Sequence, residues 1–361
     1  MTISRSPAVL ILAGGAGERF WPRSRMHCPK QFLSLTGDGE TLLQRTFARA
    51  AALTDPARIF VSTNRAYCQM VQTQLPALLP ENLLCEPVPR NTAPSLALAA
   101  AVIRKRLHDC VMLVLPADHL VRDIAKSTET LLFAASAAEQ TGLPAAVGIR
   151  PQYPETGYGY LSVSEDGSLP AGVYRADRFH EKPDAETAAV YAASEHCLWN
   201  SGMLAVGTDT YAALLREHLP EAHAVTEQLS AAYGSGDFEA VLEKAYPQMP
   251  AVSVDTGILE KAARLCAVRG DFAWDDVGSW SALRRAADTD AGGNVCTGDV
   301  LTVGTKNCVL SASGRLLAAV GLENIIVADT GDALLICHAD AAQQVREVTQ
   351  LLRKQGREAL L

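Results

Sequence analysis

The chain has 361 residues, of which 48% are apolar and 20% charged, and its formal net charge is -8 at pH 7. This length and composition are typical of a globular protein with a sizeable core, and they exclude a disordered chain. The acidic balance excludes general binding to nucleic acid or to an anionic membrane surface, because no excess of basic residues is available to hold phosphate groups.

Short apolar runs alternate with helix-like segments through the first two-thirds of the chain. The predicted buried strands are 8–13, 58–63, 110–116 and 145–150, and the predicted helices between them are 41–53, 95–107 and 127–140. This alternation predicts βαβ units, and therefore an α/β, Rossmann-like fold with a mixed, mainly parallel sheet. Ligands of such sheets bind outside the carboxyl ends of the strands.

The later part of the chain has a different pattern. Predicted short strands at 158–163 and 172–179 are followed by predicted helices at 185–194, 208–217 and 221–232. A run of short strands with turn residues begins near 288–294, and a final helix over 341–352 carries an apolar stripe. We predict a large α/β domain at 1–287 and a small β-rich domain at 288–361.

Cysteine usage and hydropathy bear on the location of the protein. The nine cysteines are scattered and form no C-x-x-C pair, a pattern that predicts reduced thiols rather than a disulfide framework or a zinc site. No window approaches the roughly 18 uninterrupted apolar residues of a membrane-spanning helix. The N-terminus shows no charged leader before a long apolar core. We therefore expect a cytoplasmic protein without a membrane partner.

A glycine-rich turn follows the first predicted strand, and such a turn directs backbone N–H groups towards an anion. Its glycines are Gly14, Gly15 and Gly17. The dinucleotide motif G-x-G-x-x-G needs glycine where Phe20 stands, and no Walker A run occurs, so both common nucleotide motifs are excluded. Arg19 and Lys30 would neutralise a polyphosphate at this turn, whereas the glycines alone fit a solvated turn equally well.

The segment GGAGERFWPRSRMHCPKQF (14–32) resembles the signature of the sugar-1-phosphate nucleotidylyltransferases, and its W-P-x-S-R resembles the mannose-1-phosphate guanylyltransferases among them. Six further segments occur in the family's order across nearly the whole chain: EPVPRNTAP, LPADH, TGYGYL, FHEKPD, WNSGM and WDDVGSW. The resemblance implies transfer of GMP from GTP to mannose 1-phosphate, with Mg²⁺ as cofactor and GDP-mannose as product. It also implies the short monofunctional form, with a left-handed β-helix-like C-terminal domain. We expect a homodimer, with dimer contacts as one structural role of that C-terminal domain.

Candidate metal ligands are acidic residues in two segments. Asp118 follows the predicted strand at 110–116, and Asp275 and Asp276 are adjacent in WDDVGSW (274–280). A single aspartate such as Asp118 ordinarily forms a turn or caps a helix, but two adjacent acids in an aromatic segment need a partner when buried. Mg²⁺ uses one or two protein carboxylates together with substrate phosphates. The resemblance implies that Asp118 and Asp276 hold the metal and, with Arg19 and Lys30, carry catalysis. Whether Asp275 shares metal binding stays open.

The resemblance also implies residues for the base and the sugar phosphate. The nucleotide contacts would come from Arg90, Asn91 and Thr92. The sugar-phosphate contacts would come from Gly159, Glu181, Lys182, Asn200 and Asp255. From the residues alone, Asn91 or Thr92 could simply cap a helix, and Glu181 with Lys182 could form a surface ion pair. Ser201 lacks the G-x-S-x-G context of a serine nucleophile.

Three alternatives compete with guanylyl transfer to mannose 1-phosphate. A related enzyme could use another base or sugar, although W-P-x-S-R and R-N-T-A-P speak against it. A regulatory paralogue could bind nucleotide sugar without catalysis, but this chain keeps the loop arginine, the lysine and the aspartates. A nicotinamide-dependent dehydrogenase is disfavoured by the missing sixth-position glycine.

Overall fold

A computed structural model describes residues 6–15 and 17–361, and the chain divides into two compact units. Unit 1 comprises the chain up to Gly14, Phe47–Pro116 and Val121–Ala273. Unit 2 comprises Gly15–Thr46, Ala117–Leu120 and Trp274–Leu361. This division by compactness differs from a cut of the chain at 287/288, which stays a prediction.

One large sheet forms the centre of unit 1. The strands up to residue 270 are β1 (Ala8–Leu12), β2 (Ile59–Asn64), β3 (Leu83–Glu86), β4 (Val111–Pro116), β5 (Leu120–Val121), β6 (Ala145–Ile149), β7 (Tyr160–Glu165), β8 (Val173–His180), β9 (Cys197–Gly207) and β10 (Cys266–Gly270). The nine strands other than β5 are ordered β3-β2-β1-β4-β9-β6-β10-β8-β7. β3-β2-β1-β4 and β6–β10 pair in parallel, and the other neighbours are antiparallel. The predicted mixed sheet is confirmed, but it is not mainly parallel: four of the eight neighbouring pairs in this order are antiparallel, because β9 runs opposite to β4 and β6, and β8 opposite to β10 and β7.

The helices fall close to the predicted positions. They are α1 (Leu42–Ala51), α2 (Cys68–Gln74), α3 (Thr92–Leu107), α4 (Ile124–Thr141), α5 (Ala185–Ala193), α6 (Thr208–His218), α7 (Pro220–Ala232), α8 (Phe238–Ala245), α9 (Leu283–Ala286) and α10 (Val345–Lys354). Helix α3 begins three residues before its predicted start, because Pro94 lies in the first turn, where a missing N–H costs no intrahelical bond. None of the helices in residues 6–15 and 17–361 has the length and apolar content that crossing a membrane needs.

The C-terminal part of unit 2 coils between two small sheets. Its strands are β11 (Trp274–Asp275), β12 (Val295–Thr297), β13 (Val300–Val303), β14 (Val309–Ser311), β15 (Leu317–Val320), β16 (Ile325–Asp329) and β17 (Leu334–His338). One sheet has the order β12-β14-β16-β17, in which the first three strands are parallel and β17 is antiparallel to β16. The other sheet consists of β13 and β15, which pair in parallel. This alternation is β-helix-like, so the predicted β-rich segment is confirmed. The final helix starts later than predicted, at Val345, because Ala339–Gln344 is a 3₁₀ helix.

The signature segment 14–32 lies largely in unit 2 and shares a core with the β-rich segment. Phe20 and Trp280 stack with ring centroids 5.2 Å apart, in one apolar cluster that includes Ile326 and Leu352. The indole N–H of Trp21 donates to the carbonyl oxygen of Leu360 at 2.7 Å. These contacts show that much of the aromatic content of the signature is structural.

The prediction of reduced thiols is wrong at one pair. Cys68 at the start of α2 and Cys85 in β3 form a disulfide, with their Cα atoms 6.1 Å apart. The packing of α2 beside β3 brings the two residues into bonding range, although a separation of 17 residues shows no such pairing in sequence. The other seven cysteines, all within the described residues, form no disulfide.

Candidate active site

The site in unit 2 begins with a close contact between the glycine turn and Lys30. Gly17 has a φ of 61°, and a Cβ built on it would lie 2.3 Å from the Cβ of Lys30 and 2.9 Å from its backbone nitrogen. An L-amino acid would be strained at this φ and would displace Lys30. Gly17 therefore sets how closely the turn approaches the lysine.

Lys30 is buried and joins the two predicted acidic segments. Its Nζ donates to Asp118 Oδ2 at 2.9 Å and to the backbone oxygen of Asp276 at 2.6 Å. It also lies 5.8 Å from the centroid of the Phe20 ring. Burial favours the protonated acid at Asp118, but the charges of Lys30 and His119 outweigh it and hold the pKa of Asp118 below its ordinary value. Asp118 is therefore a carboxylate at neutral pH.

A cavity of about 420 Å³ in unit 2 brings the predicted catalytic residues together. It is lined by Gly17, Glu18, Arg19, Phe20, Lys30, Asp118, Asp276, Gly278 and Arg346. Arg19 is exposed and has no hydrogen bond or ion pair with any residue in 6–15 or 17–361. The cavity combines a glycine turn, cations and carboxylates, which is a suitable composition for a polyphosphate with a divalent cation.

The two adjacent acids in WDDVGSW have different environments. Asp275 is buried, accepts a hydrogen bond from the backbone N–H of Val277 at 2.7 Å, and pairs with Arg285 Nε at 3.1 Å. Burial raises the pKa of Asp275, and Arg285 and the Val277 N–H oppose that shift. Asp276 lines the cavity and accepts from the backbone N–H of Gly278 at 2.8 Å. Asp275 therefore has an arginine as its counter-ion, and Asp276 faces the cavity.

Arg23 and Arg25 do not line this cavity, although both fall in the same basic segment as Arg19 and Lys30. Arg23 donates to Ser311 Oγ at 3.2 Å. Arg25 is buried, donates to the Leu360 carbonyl oxygen at 2.6 Å and pairs with Asp332 at 2.8 Å. Arg23 and Arg25 thus hold the signature segment to the β-rich part of unit 2.

The donor set of the cavity suits a hard cation and not a zinc ion. No group of three or more His, Cys, Asp or Glu residues that could hold a metal occurs in the part of the chain that the structure describes. Of the three carboxylates that line the cavity, Glu18 pairs with Arg353, which leaves Asp118 and Asp276 for a metal. His119 does not act as a free ligand, because its Nδ1 accepts from the indole N–H of Trp274 at 3.2 Å. Two carboxylates completed by phosphate oxygens fit Mg²⁺.

Unit 1 brings the predicted sugar-phosphate residues together. Asn200 in β9 donates from Nδ2 to Asp255 Oδ1 at 2.9 Å, and its backbone N–H donates to the carbonyl oxygen of Gly159 at 2.8 Å. A Cβ on Gly159 would lie 3.0 Å from Glu181 Oε2, and Glu181 pairs with Lys182. Burial raises the pKa of Asp255, with Asn200 opposing and Glu181 adding to the shift.

The R-N-T loop of unit 1 contacts the turn before Asp255. Asn91 caps α3 by accepting from the Thr92 N–H at 2.9 Å, with a φ of 68° that asparagine tolerates. Thr92 Oγ1 accepts from the backbone N–H of Val254 at 2.8 Å. The guanidinium of Arg90 donates to the carbonyl oxygen of Pro247. The capping role is thus observed, and nucleotide contact stays a prediction.

Sequence reasoning missed three charged residues that the structure places at or beside these sites. Glu18 and Arg346 line the cavity, and Arg346 comes from the final helix, for which the sequence predicts only a packing stripe. Glu86 is buried in unit 1 and accepts from Ser62, Ser95 and Tyr246. Glu86 precedes the quoted R-N-T loop, so an acid at the end of a buried strand was the available signal. Nothing in the local sequence marks Arg346.

Ser201 donates to the Val147 carbonyl oxygen at 2.6 Å and is structural.

Comparisons with known proteins place the chain in a family. The model described as nucleotidyl transferase matches residues 8–292, and the model described as MannoseP isomerase/GMP-like beta-helix domain matches residues 298–352. The chain is 40% identical over 351 residues to the alginate biosynthesis protein AlgA of Pseudomonas aeruginosa, covering 96% of this chain and 72% of that protein. It is 36% identical over 366 residues to mannose-1-phosphate guanylyltransferase 2 of Escherichia coli O157:H7, covering 98% and 75% respectively.

A solved structure of similar sequence supports the same assignment. The protein named mannose-1-phosphate geranyltransferase from Thermus thermophilus matches with a TM-score of 0.88 at 37% identity, covering 97% of this chain and 100% of that one. The resemblance seen in the sequence is therefore confirmed, and the family generally uses a divalent metal. The chain belongs to the nucleotidyl transferase family and carries a C-terminal β-helix domain of the MannoseP isomerase/GMP-like type.

Proposed function

We propose that this enzyme transfers GMP from GTP to α-D-mannose 1-phosphate, giving GDP-mannose and pyrophosphate. The observation that carries the proposal is the cavity of unit 2, in which Lys30 joins Asp118 to the backbone of Asp276 beside the Gly17 turn. The name of the relative at 36% identity, mannose-1-phosphate guanylyltransferase 2, adds the base and the sugar.

The reaction needs positioning and charge stabilisation from the protein. An oxygen of the sugar phosphate forms a bond to the α-phosphorus of GTP, and the bond from that phosphorus to the leaving pyrophosphate breaks. Arg19, the N–H groups of the glycine turn and Lys30 hold the polyphosphate and stabilise the charge on the leaving group. The attacking phosphate is already an anion, so no side chain has to act as a general base.

The metal proposed here is Mg²⁺. Asp118 and Asp276 would hold it, since both line the cavity and the low pKa of Asp118 keeps that group ionised. When bound, Mg²⁺ would neutralise charge on the phosphate oxygens. Lys30 keeps Asp118 oriented through its 2.9 Å hydrogen bond.

Unit 1 supplies the groups proposed for substrate selection. Asn200 and Asp255, joined by a hydrogen bond, offer a donor and an acceptor for sugar hydroxyls. Glu181 would accept from a further hydroxyl, and Lys182 would hold the sugar phosphate. We propose that Arg90, Asn91 and Thr92 contact the guanine nucleotide.

We propose a homodimer built on the β-rich part of unit 2. Leu301, Val303 and Val320 are 60%, 63% and 67% exposed, and Val303 and Val320 are register partners in the β13–β15 sheet. An exposed apolar sheet face of this kind is commonly covered by a partner. Light scattering of wild-type protein and of Val320→Asp tests it: a monomeric wild type contradicts the dimer.

We propose a cytoplasmic location as well, because seven of the nine cysteines form no disulfide. The Cys68–Cys85 disulfide is the observation that runs against it. Mass spectrometry of protein denatured in an alkylating reagent decides: nine alkylated cysteines support the location, and seven contradict it.

Pyrophosphate release from purified protein with Mg²⁺, GTP and mannose 1-phosphate tests the function. Parallel reactions replace GTP by ATP or UTP, and mannose 1-phosphate by glucose 1-phosphate. Release confined to GTP with mannose 1-phosphate supports the proposal. Release with another pair keeps the chemistry and overturns the specificity. No release from folded protein favours the regulatory alternative.

A further inference from the structure

The final helix contributes a cation to the cavity of unit 2. Arg346 lies in the first turn of α10, and its side chain lines the cavity together with Arg19 and Lys30. The side chain is 61% exposed, so its guanidinium remains accessible to a ligand. No motif of the signature segment includes this residue.

Glu18 orients Arg346 without fully engaging it. Glu18 Oε2 lies 3.9 Å from Arg346 Nε, an ion pair too long for a hydrogen bond. The other oxygen of the same carboxylate, Oε1, lies 2.5 Å from Arg353 Nη2, two turns along the same face of α10. Arg353 thus neutralises Glu18, and the N–H groups of Arg346 remain available for an anion.

The charges of the cavity show why a third cation matters. Three carboxylates line it, from Glu18, Asp118 and Asp276, and three cations line it, from Arg19, Lys30 and Arg346. Lys30 is already engaged with Asp118 and the Asp276 carbonyl oxygen. Lys30 therefore has one N–H left for a phosphate oxygen, whereas Arg19 and Arg346 each present several donors, and the fork of an arginine matches phosphate oxygens bidentately.

We propose that Arg346 binds the polyphosphate chain of the nucleoside triphosphate and the pyrophosphate product. The final helix is then part of the substrate site as well as of the packing core. Glu18 acts as a positioning residue through its contact with Arg346. The inference rests on the proposed function for the identity of the triphosphate, and on the cavity alone for the binding of a polyphosphate.

The test compares Arg346→Ala and Arg346→Lys with the control Lys354→Ala. Calorimetry with Mg²⁺ and inorganic tripolyphosphate measures binding without a base or a sugar. We expect Arg346→Ala to weaken tripolyphosphate about tenfold, as for a lost charge-assisted hydrogen bond at a half-exposed site. Arg346→Lys keeps the charge and restores part of that loss. Lys354→Ala removes an exposed charge of the same helix that does not line the cavity, and it changes binding by less than about threefold.

Steady-state kinetics add a readout that a structural role would not produce. Arg346→Ala raises KM for GTP about tenfold and changes kcat by less than about threefold, since the contact exists in both ground and transition states. Unchanged tripolyphosphate binding in Arg346→Ala, or an equal loss in Lys354→Ala, overturns the inference. If wild-type protein binds tripolyphosphate through Arg346 but releases no pyrophosphate from any substrate pair, the inference stands and the proposed function fails.

Discussion

The two units of this protein organise their functional residues in different ways. In unit 1 the residues proposed for the sugar phosphate depend on strand register: Asn200 is placed by its backbone bond to Gly159 and then reaches Asp255. In unit 2 the residues proposed for catalysis depend on side-chain packing between distant segments: Lys30 joins Asp118, which is 88 residues away, to Asp276, 246 residues away.

This difference has a consequence for mutations. A residue held by sheet register has many backbone bonds around it, so changes there act on stability or on affinity. In a cavity held by a few buried polar contacts, removal of one charge lowers the rate of turnover. We therefore expect substitutions in the cavity of unit 2 to lower turnover, and substitutions in the sheet of unit 1 to lower stability or affinity.

Asp276→Asn should lower turnover by about 10²–10³-fold, because the amide keeps the size of the side chain and removes a charge proposed to hold the metal. We expect its thermal midpoint to match wild type, since the amide oxygen can still accept from the Gly278 N–H. Asp275→Asn is the matched control: it loses its counter-ion Arg285 and is expected to lose stability more than turnover. The assignment of the metal to Asp276 is wrong if Asp275→Asn loses as much turnover as Asp276→Asn.

Glu86→Ala should lower the free energy of unfolding by about 3 kcal/mol, because it leaves the buried hydroxyl groups of Ser62, Ser95 and Tyr246 without their acceptor. Urea denaturation measures it. Glu86→Gln keeps one acceptor oxygen and is expected to cost less. A loss below about 1 kcal/mol for Glu86→Ala would show that this network does not support unit 1.

Gly17→Ala should cost about 2 kcal/mol of stability, from the left-handed φ and the contact with Lys30. Turnover should fall as well, because Lys30 must move. The control is Gly15→Ala, whose Cβ would meet no atom within 4 Å among the residues that the structure describes. Equal destabilisation in both variants would contradict the close approach to Lys30.

The pH dependence of stability should carry a small signature of Asp255. Its folded-state pKa is raised by burial, so the folded protein binds more protons than the unfolded chain above the ordinary aspartate pKa. The contribution of Asp255 to stability is therefore full below that pKa and is lost as pH rises through the folded pKa. Relative to wild type, Asp255→Asn should be free of this decline. Urea titrations of both proteins from pH 4 to 8 measure the free energy of unfolding. Identical pH profiles for wild type and Asp255→Asn would contradict the contribution of Asp255.

Much of unit 1 was predictable from local pattern. Apolar runs such as Ala8–Leu12 and Val111–Pro116 are buried on both faces, and a parallel strand covered on both sides has that composition at every position. The start of α3 was missed because a proline in the first turn does not disrupt a helix. The Cys68–Cys85 pair was missed because cysteine spacing carries no information on which helix packs beside which strand.

Sequence by itself determined which residue types the chemistry uses: the glycine turn, Arg19, Lys30 and the aspartates stand in recognisable order, because each type has a distinct charge or backbone freedom. Tertiary structure alone decided their division of labour. In the folded chain Arg25 binds the Leu360 carbonyl oxygen and Asp332, and Asp275 pairs with Arg285. Packing also brings Arg346 to the cavity from near the end of the chain. The physical reason is that a charge is recognisable in sequence, whereas its partner is chosen by burial and distance, which only the folded chain defines.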